Sequence, residues 1–317
     1  MSCCESLDKL WPAGGSCARS NAYILPPVFV SKSILQSATG AGFDFSIPYL
    51  YNGLQFAGKP PFVHCANNFT TAGDCAETKI CVLDGTTHQN DISSINSALS
   101  IVSTPSSIQL YRNFVDELCN VIAGEQFDIA ETIIRAQGYL GDYELGSGIH
   151  SKEPLCLVTR DDDQQWSDFV NWIMTALVAA EDVGVSQRTA IALGRTEFFG
   201  PDFRDMFINA VKDVGNYGEV YRRHLEPILP RPEPDRINNG ETGLIYSFPF
   251  GSVTPIGFGA VRGGTLEKIL MRGRLRCGIS RRSIFAEFDQ ITQSWSGTSS
   301  ISICLLGSHS FVICIAI

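Results

Sequence analysis

The segment 79–90 reads KICVLDGTTHQN, and three local signals in it predict an α/β fold. Lys79–Leu83 is an apolar run with the length of a buried strand. Gly85 allows the chain to turn, and the two threonines that follow are residues that cap the start of a helix. A helix is predicted from Asp91 to Leu99. A strand, a tight turn and a helix start in succession are typical of α/β proteins.

The same turn has two interpretations. A threonine at the N-cap leaves backbone N–H groups pointing outward, at the positive end of the helix dipole. Such a helix start can hold a carboxylate or a phosphate. Many helices, however, begin with Thr, Ser or Asp for capping alone, and the turn by itself does not separate the two.

The rest of the chain continues the alternation of strands and helices. Further strands are predicted at Phe43–Ile47, Tyr49–Phe56, Ser107–Tyr111, Phe127–Ile134 and Pro154–Arg160. Further helices are predicted at Phe114–Ile122, Gln164–Val183 and Asp205–Val214, and a loop at Cys65–Glu77. This order predicts a mostly parallel sheet with helices on both faces.

Composition excludes some classes of protein. The chain has 317 residues, 44% of them apolar, which is too apolar for a disordered protein. The net charge is −9 and no basic block occurs, so a nucleic-acid partner is not expected. The start of the chain lacks the basic and long apolar regions of a signal peptide.

Eleven cysteines occur without a C-x-x-C pair and without a histidine at zinc-finger spacing. A metal site is therefore not predicted. Buried thiols and a few disulfides in an exported protein both remain open. Asn68-Phe69-Thr70 is an N-glycosylation triplet, which would matter only in a secretory lumen.

Several motifs together carry a resemblance to one family. The most specific are SKEPL at 151–155, which an acidic run and Trp166 follow, and GNYGE at 215–219. Other matching stretches are Gly42–Ser46, Tyr49–Phe56, Ile80–Thr87, Ala180–Val185 and Gly243–Tyr246. Over roughly residues 40–250 the chain resembles the family 3 solute-binding proteins, the polar amino-acid-binding proteins of bacterial ABC importers.

The resemblance implies a type II periplasmic-binding-protein-like fold, in which two lobes close over an amino acid. The second lobe is nearly complete here and the first is incomplete. The implied activity is binding of an amino acid or a similar small polar solute, with no catalysis and no cofactor. The implied partner is an ABC-type membrane permease, and the implied location is periplasmic or extracellular.

The resemblance also implies the site residues. Gly85, Thr86 and Thr87 match the helix start that grips the ligand α-carboxylate. The acid that binds the ligand amine falls at Ile133 in this sequence. Glu131, on the same face of the predicted strand, is the substitute, with Asp128 nearby.

Two further features concern the candidate binding residues. Tyr49 and Tyr51 complete the candidate binding residues, with core or interface positions as the alternative. The arginine that pairs with the carboxylate in the family is absent from Gln36–Gly40.

The order of the segments is unusual for this family. Residues 1–37 and 298–317 are unassigned, 38–250 form a solute-binding-protein-like domain (mainly lobe 2), and 251–263 form a Gly-rich linker. Residues 264–297 resemble the start of a second such domain. The interpretation is a segment of a tandem array, with a circular permutation as the alternative.

Two other functions stay open at this point. The same fold can host a dehydratase-like enzyme, with His88, His150, Glu153 and the acidic triplet 161–163 as candidate groups. The triplet also suits the first turn of the helix that starts at Gln164. A non-binding interaction module of a larger secreted array is the second alternative.

Overall fold

The computed structural model describes residues 25–29, 43–247, 264–272, 287–289 and 294–296, of which 25–29, 272, 287–289 and 294–296 are described by their backbone alone. The chain divides into two compact units. The central unit is Tyr51–Glu153, and the flanking unit combines Met1–Leu50 with Pro154–Ile317. The predicted linker 251–263 and the arginine-free stretch 36–40 lie outside the described residues.

The described strands are β1 (Leu25–Phe29), β2 (Phe43–Phe45), β3 (Leu50–Asn52), β4 (Leu54–Gly58), β5 (Lys79–Leu83), β6 (Ser100–Thr104), β7 (Val121–Glu125), β8 (Glu144–Leu145), β9 (Glu153–Arg160), β10 (Glu287–Asp289) and β11 (Ser294–Ser296). The described helices are α1 (Pro60–Asn67), α2 (Thr87–Ile95), α3 (Ser107–Val115), α4 (Glu131–Ala136), α5 (Gln164–Asp182), α6 (Met206–Val214), α7 (Tyr217–His224) and α8 (Thr265–Arg272). Short 3₁₀ helices lie at Gly73–Glu77, Gln187–Leu193, Pro201–Phe203 and Glu233–Asp235.

The central unit is built on a five-stranded sheet in the order β6-β5-β7-β4-β8. β5 pairs in parallel with β6 and β7, whereas β4 pairs antiparallel with β7 and β8. The α/β class is confirmed, but the sheet is mixed rather than mostly parallel. Because β4 is antiparallel to β7, its first residue Leu54 lies opposite Glu125, the last residue of β7. We call the edge where Leu83, Thr104, Glu125 and Leu54 lie the carboxyl edge.

Helices cover both faces of this sheet. Successive residues of β5 point to opposite sides, so Ile80 and Val82 are buried on one face and Cys81 on the other. The first face is packed against Val63 of α1 and Ile92 of α2. The opposite face is packed against residues of α3 and α4, among them Leu110, Phe114 and Ile134. The result is a three-layer α/β/α unit, with β5 at the centre of both cores.

The flanking unit is organised around α5, the longest helix described. The predicted apolar face is buried as expected, and it comprises Trp166, Phe169, Val170, Ile173, Ala176, Leu177 and Ala180. Asp163 caps the helix by accepting a hydrogen bond from the N–H of Trp166 (3.1 Å). β1 and β2 pair antiparallel with β9 in this unit.

Helix α8 lies in the segment that the sequence assigns to a second domain. It packs against α5, and the N–H of Thr265 donates a hydrogen bond to Oδ2 of Asp163 at 2.6 Å. The boundaries of the predicted domains stay a prediction.

Three elements predicted between residues 107 and 134 are wrong. Ser107–Tyr111 is not a strand, because Ser106 accepts a hydrogen bond from the N–H of Gln109 and starts α3. The helix predicted at Phe114–Ile122 is not formed, because α3 ends at Val115 and β7 begins at Val121. The strand predicted at Phe127–Ile134 is a turn followed by α4. The loop predicted at Cys65–Glu77 also contains the end of α1 and a 3₁₀ helix.

Among the described residues, four cysteines form two disulfides and a fifth is a free thiol. Cys65 of α1 is bonded to Cys75, and Cys81 of β5 is bonded to Cys119, just before β7. Both bonds lie inside the central unit. Cys156 is a free thiol buried in the flanking unit, and burial raises its pKa to about 12. The other cysteines (Cys3, Cys4, Cys17, Cys277, Cys304 and Cys314) lie outside the described residues.

Candidate functional site

The turn between β5 and α2 lies at the carboxyl edge and is held by its own side chains. Thr86 is the N-cap of α2: its Oγ1 donates to the carbonyl of Leu83 (2.7 Å) and accepts from the N–H of Gln89 (3.4 Å). The N–H of Gly85 donates to Oε1 of Gln89 at 3.0 Å. Gly85 has a φ of 70°, which glycine adopts without the steric cost of a side chain. The turn is therefore rigidly defined.

The first two backbone N–H groups of α2 donate no hydrogen bond to the described residues. Within the described part of the chain, no acceptor bonds the N–H of Thr87 or of His88. These two groups lie at the positive end of the helix dipole. They are the donors that this helix start offers to an anionic ligand.

The side chain of Thr87 is already engaged by a buried carboxylate. Its hydroxyl donates to Glu153, with Oγ1 3.3 and 3.4 Å from the two carboxylate oxygens. Glu153 is only 5% exposed. The hydroxyls of both threonines are thus used within the protein, and they do not need to be donors to a ligand.

Glu153 is the centre of a polar cluster behind the helix start. Ser151 donates to it at 3.1 Å, and Nε2 of His88 lies 3.4 Å from Oε1 in a contact that lacks hydrogen-bond alignment. Burial acts to raise the pKa of Glu153, but the contact with His88 and the bonds from Ser151 and Thr87 outweigh it, so the pKa lies below its ordinary value. The carboxylate stays charged at neutral pH.

Asp91 lies one turn further along α2, beside the same cluster. Partial burial raises its pKa, the charge of Glu153 raises it further, and His88 acts in the opposite direction. Two carboxylates therefore face one histidine, and only Glu153 is in direct contact with it.

More polar groups line the carboxyl edge at β4 and β7. Oδ1 of Asn52 accepts from the N–H groups of Gly53 (3.1 Å) and Gln126 (3.2 Å). The Nδ2 group of Asn52 is buried and has no hydrogen-bond acceptor among the described residues. Glu125, at the end of β7, is 9% exposed. The edge therefore combines amide donors and a carboxylate.

The predicted amine-binding residues are placed differently from the prediction. Glu131 is not on a strand. It lies in the first turn of α4, where its exposed carboxylate pairs with Arg135 four residues later (2.9 Å). Glu131 and Ile133 therefore do not share a strand face. Asp128 lies in the turn before α4, half-buried, and its carbonyl accepts from the hydroxyl of Tyr111 (3.0 Å).

The two predicted tyrosines lie on either side of the boundary between the units. Tyr49 belongs to the flanking unit and is 2% exposed. Its N–H donates to the carbonyl of Leu155, and its carbonyl accepts from the hydroxyl of Tyr217. Burial raises its pKa well above the ordinary value. Tyr51, half-buried, lies in β3 at the start of the central unit.

Of the candidate catalytic groups, His88 and Glu153 are in contact, with Nε2 of His88 3.4 Å from Oε1 of Glu153. His150 does not pair with Glu153; it lies 3.2 Å from Asn67 and against the rings of Phe56 and Phe69. Burial lowers the pKa of His150. Asp161–Asp163 precede α5 as predicted, with Asp163 as its N-cap. Within the described ranges, no three His, Cys, Asp or Glu side chains are grouped as metal ligands.

Glu153 was a candidate group in the sequence, but its position beside the helix start of α2 was not predicted. Its contacts with His88 and Thr87 span more than sixty positions of the chain. The available signal was the SKEPL motif itself, in which a charged residue opens the otherwise apolar strand β9. The pairing with His88 had no signal in the sequence.

No single helix in the described ranges combines the length and the hydropathy of a membrane span. Only the bent pair formed by Gln164–Asp182 and Gln187–Leu193 meets both criteria, when the two helices are taken together.

The sequence is similar to known amino-acid-binding proteins of ABC transporters. No family model matches the chain. YhdW of Escherichia coli (strain K12), which is named as an amino-acid ABC transporter-binding protein, is 24% identical over 234 residues. The general L-amino acid-binding periplasmic protein AapJ of Rhizobium johnstonii is 25% identical over 211 residues. The chain is a homologue of amino-acid ABC transporter-binding proteins.

The similarity extends over only part of the length of each relative. The chain matches 66% of the length of YhdW and 59% of the length of AapJ, so it spans less than two thirds of each. A solved structure of an ABC transporter periplasmic binding protein from Brucella ovis, with glutathione bound, covers 68% of this chain at a TM-score of 0.54. The match includes 73% of that protein, with 22% sequence identity. The fold is therefore that of the type II periplasmic binding proteins.

Proposed function

We propose that this chain binds a free amino acid or a similar small polar solute, as the solute-binding component of an ABC importer. The observation that carries the proposal is the pair of N–H groups of Thr87 and His88 at the carboxyl edge, for which the described residues supply no acceptor. A ligand carboxylate suits both their hydrogen-bonding capacity and the helix dipole. The homologues named as amino-acid-binding proteins support the same ligand class.

The carboxylate that receives the ligand amine is proposed to be Glu125. It ends β7 at the carboxyl edge and is 9% exposed, whereas Glu131 lies in the first turn of α4 with an exposed side chain. Asp128 and the tyrosines remain proposals as further contacts. Gly85 and Thr86 are proposed to act indirectly, by fixing the turn that orients the two N–H groups.

We also infer that the chain acts by binding and not by catalysis. The shortest contact between a histidine and a carboxylate among the described residues of the central unit is that of His88 with Glu153, and both side chains are about 5% exposed. The carboxylate of this pair is already bonded by the hydroxyls of Thr87 and Ser151, so it is committed to the protein itself. The proposed partner is a membrane permease, in the periplasm or outside the cell, where two disulfides persist.

Substitutions at Thr87 test the proposed carboxylate contact. Thr87 is the first residue of α2, a position where proline is tolerated, and Thr86 before it has the extended conformation that proline requires (φ −92°, ψ 160°). Thr87→Pro removes both the N–H and the hydroxyl, whereas Thr87→Ala removes the hydroxyl alone. A hydrogen bond to a charged group is worth about 1.5–3 kcal/mol, so Thr87→Pro is expected to bind at least about tenfold more weakly than Thr87→Ala.

Isothermal titration of the full chain with a panel of amino acids measures this difference. Circular dichroism and the melting temperature verify that both variants are folded. Equal affinities of Thr87→Pro and Thr87→Ala would refute the location of the carboxylate. If the wild-type chain bound no amino acid, the proposal of solute binding would be refuted in favour of a non-binding interaction module. Turnover of a prephenate-like acid would instead favour the dehydratase-like enzyme.

A further inference from the structure

The loop that follows α1 contains the sole N-x-S/T triplet of the 317 residues, Asn68-Phe69-Thr70. Asn68 is exposed and lies at the C-cap of α1. Its Nδ2 group donates a hydrogen bond to the carbonyl of His64 at 3.0 Å. The amide nitrogen that a glycan would modify is therefore at the surface of the central unit.

The middle residue of the triplet holds the loop in this orientation. Phe69 has a φ of 49°, which is uncommon for a residue with a side chain. Its ring contacts Phe56 and His150, with ring centroids 5.7 and 4.7 Å apart. Its carbonyl accepts from Nδ2 of Asn96 at 2.8 Å. With Phe69 anchored on the protein side, Asn68 remains on the solvent side.

The surrounding disulfide indicates the chemistry of the compartment. Cys65 and Cys75 are bonded on either side of the triplet, and Cys81–Cys119 lies in the same unit. Disulfides of this kind form and persist in oxidising compartments, among them the lumen of the secretory pathway. For a chain that reaches the cell exterior through such a lumen, which is one of the two proposed locations, an accessible acceptor triplet is a substrate for N-glycosylation.

We propose that Asn68 is an N-linked glycosylation site. The co-reactant is an oligosaccharide joined to a lipid through pyrophosphate. A bond forms between Nδ2 of Asn68 and the anomeric carbon of the sugar, and the carbon–oxygen bond to the pyrophosphate breaks. The lipid pyrophosphate leaves with the bonding electrons, and Nδ2 loses one proton.

The local geometry accommodates the product. A side-chain amide has two N–H groups, and the glycosylated amide keeps one of them. The hydrogen bond to the carbonyl of His64 can therefore persist in the modified protein. Because Asn68 is already exposed, attachment of a polar glycan requires no rearrangement of the core.

The test uses the full chain directed into the secretory pathway of a eukaryotic cell line by a cleavable leader. Its intact mass is measured in lysate and medium, before and after treatment with peptide-N-glycosidase F. We expect the loss of one glycan and the conversion of Asn68 to aspartate. Asn68→Gln and Thr70→Ala are expected to abolish the mass change completely.

Two matched variants separate modification from folding. Thr70→Ser retains an acceptor triplet, and Asn67→Gln changes the neighbouring asparagine, which lies outside the triplet. Both are expected to keep the glycan. An unmodified wild-type chain would overturn the proposal, as would a mass change that persists in Asn68→Gln.

Discussion

Replacing Cys81 and Cys119 together with alanine is expected to lower the free energy of unfolding by about 4 kcal/mol. The bond joins residues 38 positions apart, and the chain-entropy relation gives about this value for a loop of that length. The bond also connects β5 to the segment that leads into β7, the central strand of the sheet. Both cysteines are fully buried, so the variant also loses buried contacts. Urea unfolding followed by circular dichroism measures the change.

The second disulfide supplies the matched control. Cys65 and Cys75 are 10 positions apart, and the same relation gives about 2.7 kcal/mol for their loop. The variant with alanine at both positions is thus expected to lose less stability than the variant without Cys81–Cys119. A reversed order would contradict the view that loop length sets the stabilisation here. Cys156→Ala, which breaks no disulfide, controls for the loss of a buried sulfur.

Glu153→Ala is expected to cost about 3–5 kcal/mol of stability at pH 7. Removal of one partner of a buried pair leaves the other without compensation, and here His88 and the hydroxyl of Thr87 both lose the carboxylate they contact. Glu153→Gln preserves the volume and an acceptor oxygen, so its cost is expected to be smaller. Asp91→Asn is the control, because it removes a neighbouring carboxylate that has no direct contact with His88. It is expected to cause no comparable loss.

The acid dependence of stability distinguishes the charge of Glu153 from its shape. The pKa of Glu153 in the folded protein is lower than its ordinary value. Its charge therefore stabilises the fold above the pKa of the unfolded chain, and this contribution is lost as the pH falls through the lower, folded-state pKa. Between about pH 5 and pH 3, the unfolding midpoint of the wild type is expected to fall more steeply than that of Glu153→Gln. Parallel curves would mean that the charge contributes no stability.

Local patterns predicted the elements that decide the fold. The run Lys79–Leu83 and the turn that follows it are as expected, and so is the apolar face of α5, because strand and helix periods are properties of neighbouring residues. The prediction failed where apolar runs are short. Leu110, Tyr111 and Phe114 belong to a helix and Val121–Ala123 to a strand, but over so few residues both periods fit.

The local geometry of the candidate site was predicted in part, for a related physical reason, and which of its residues bind a ligand stays a prediction. The turn at Gly85–Thr87 could be identified because its capping chemistry is local. The engagement of the Thr87 hydroxyl by Glu153 could not, because the fold creates that contact between distant segments. Glu131 was misplaced because its strand was misassigned. The Cys81–Cys119 pair likewise depends on the topology of the sheet, and the Cys65–Cys75 pair depends on how α1 and the following 3₁₀ helix are placed.

The hydrogen bond between the N–H of Leu54 and Oγ of Ser151, at 2.8 Å, has a consequence for the architecture of the gene product. It ties together the entry and the exit of the central unit. Loop-closure entropy grows with the number of flexible residues in a loop. Because the folded unit holds its own two ends together, its roughly one hundred residues do not count as a flexible loop in the flanking unit, and the insertion has the entropic cost of a short connection. Evolution or protein engineering can therefore exchange this unit as a whole, because its two junctions with the rest of the chain are adjacent.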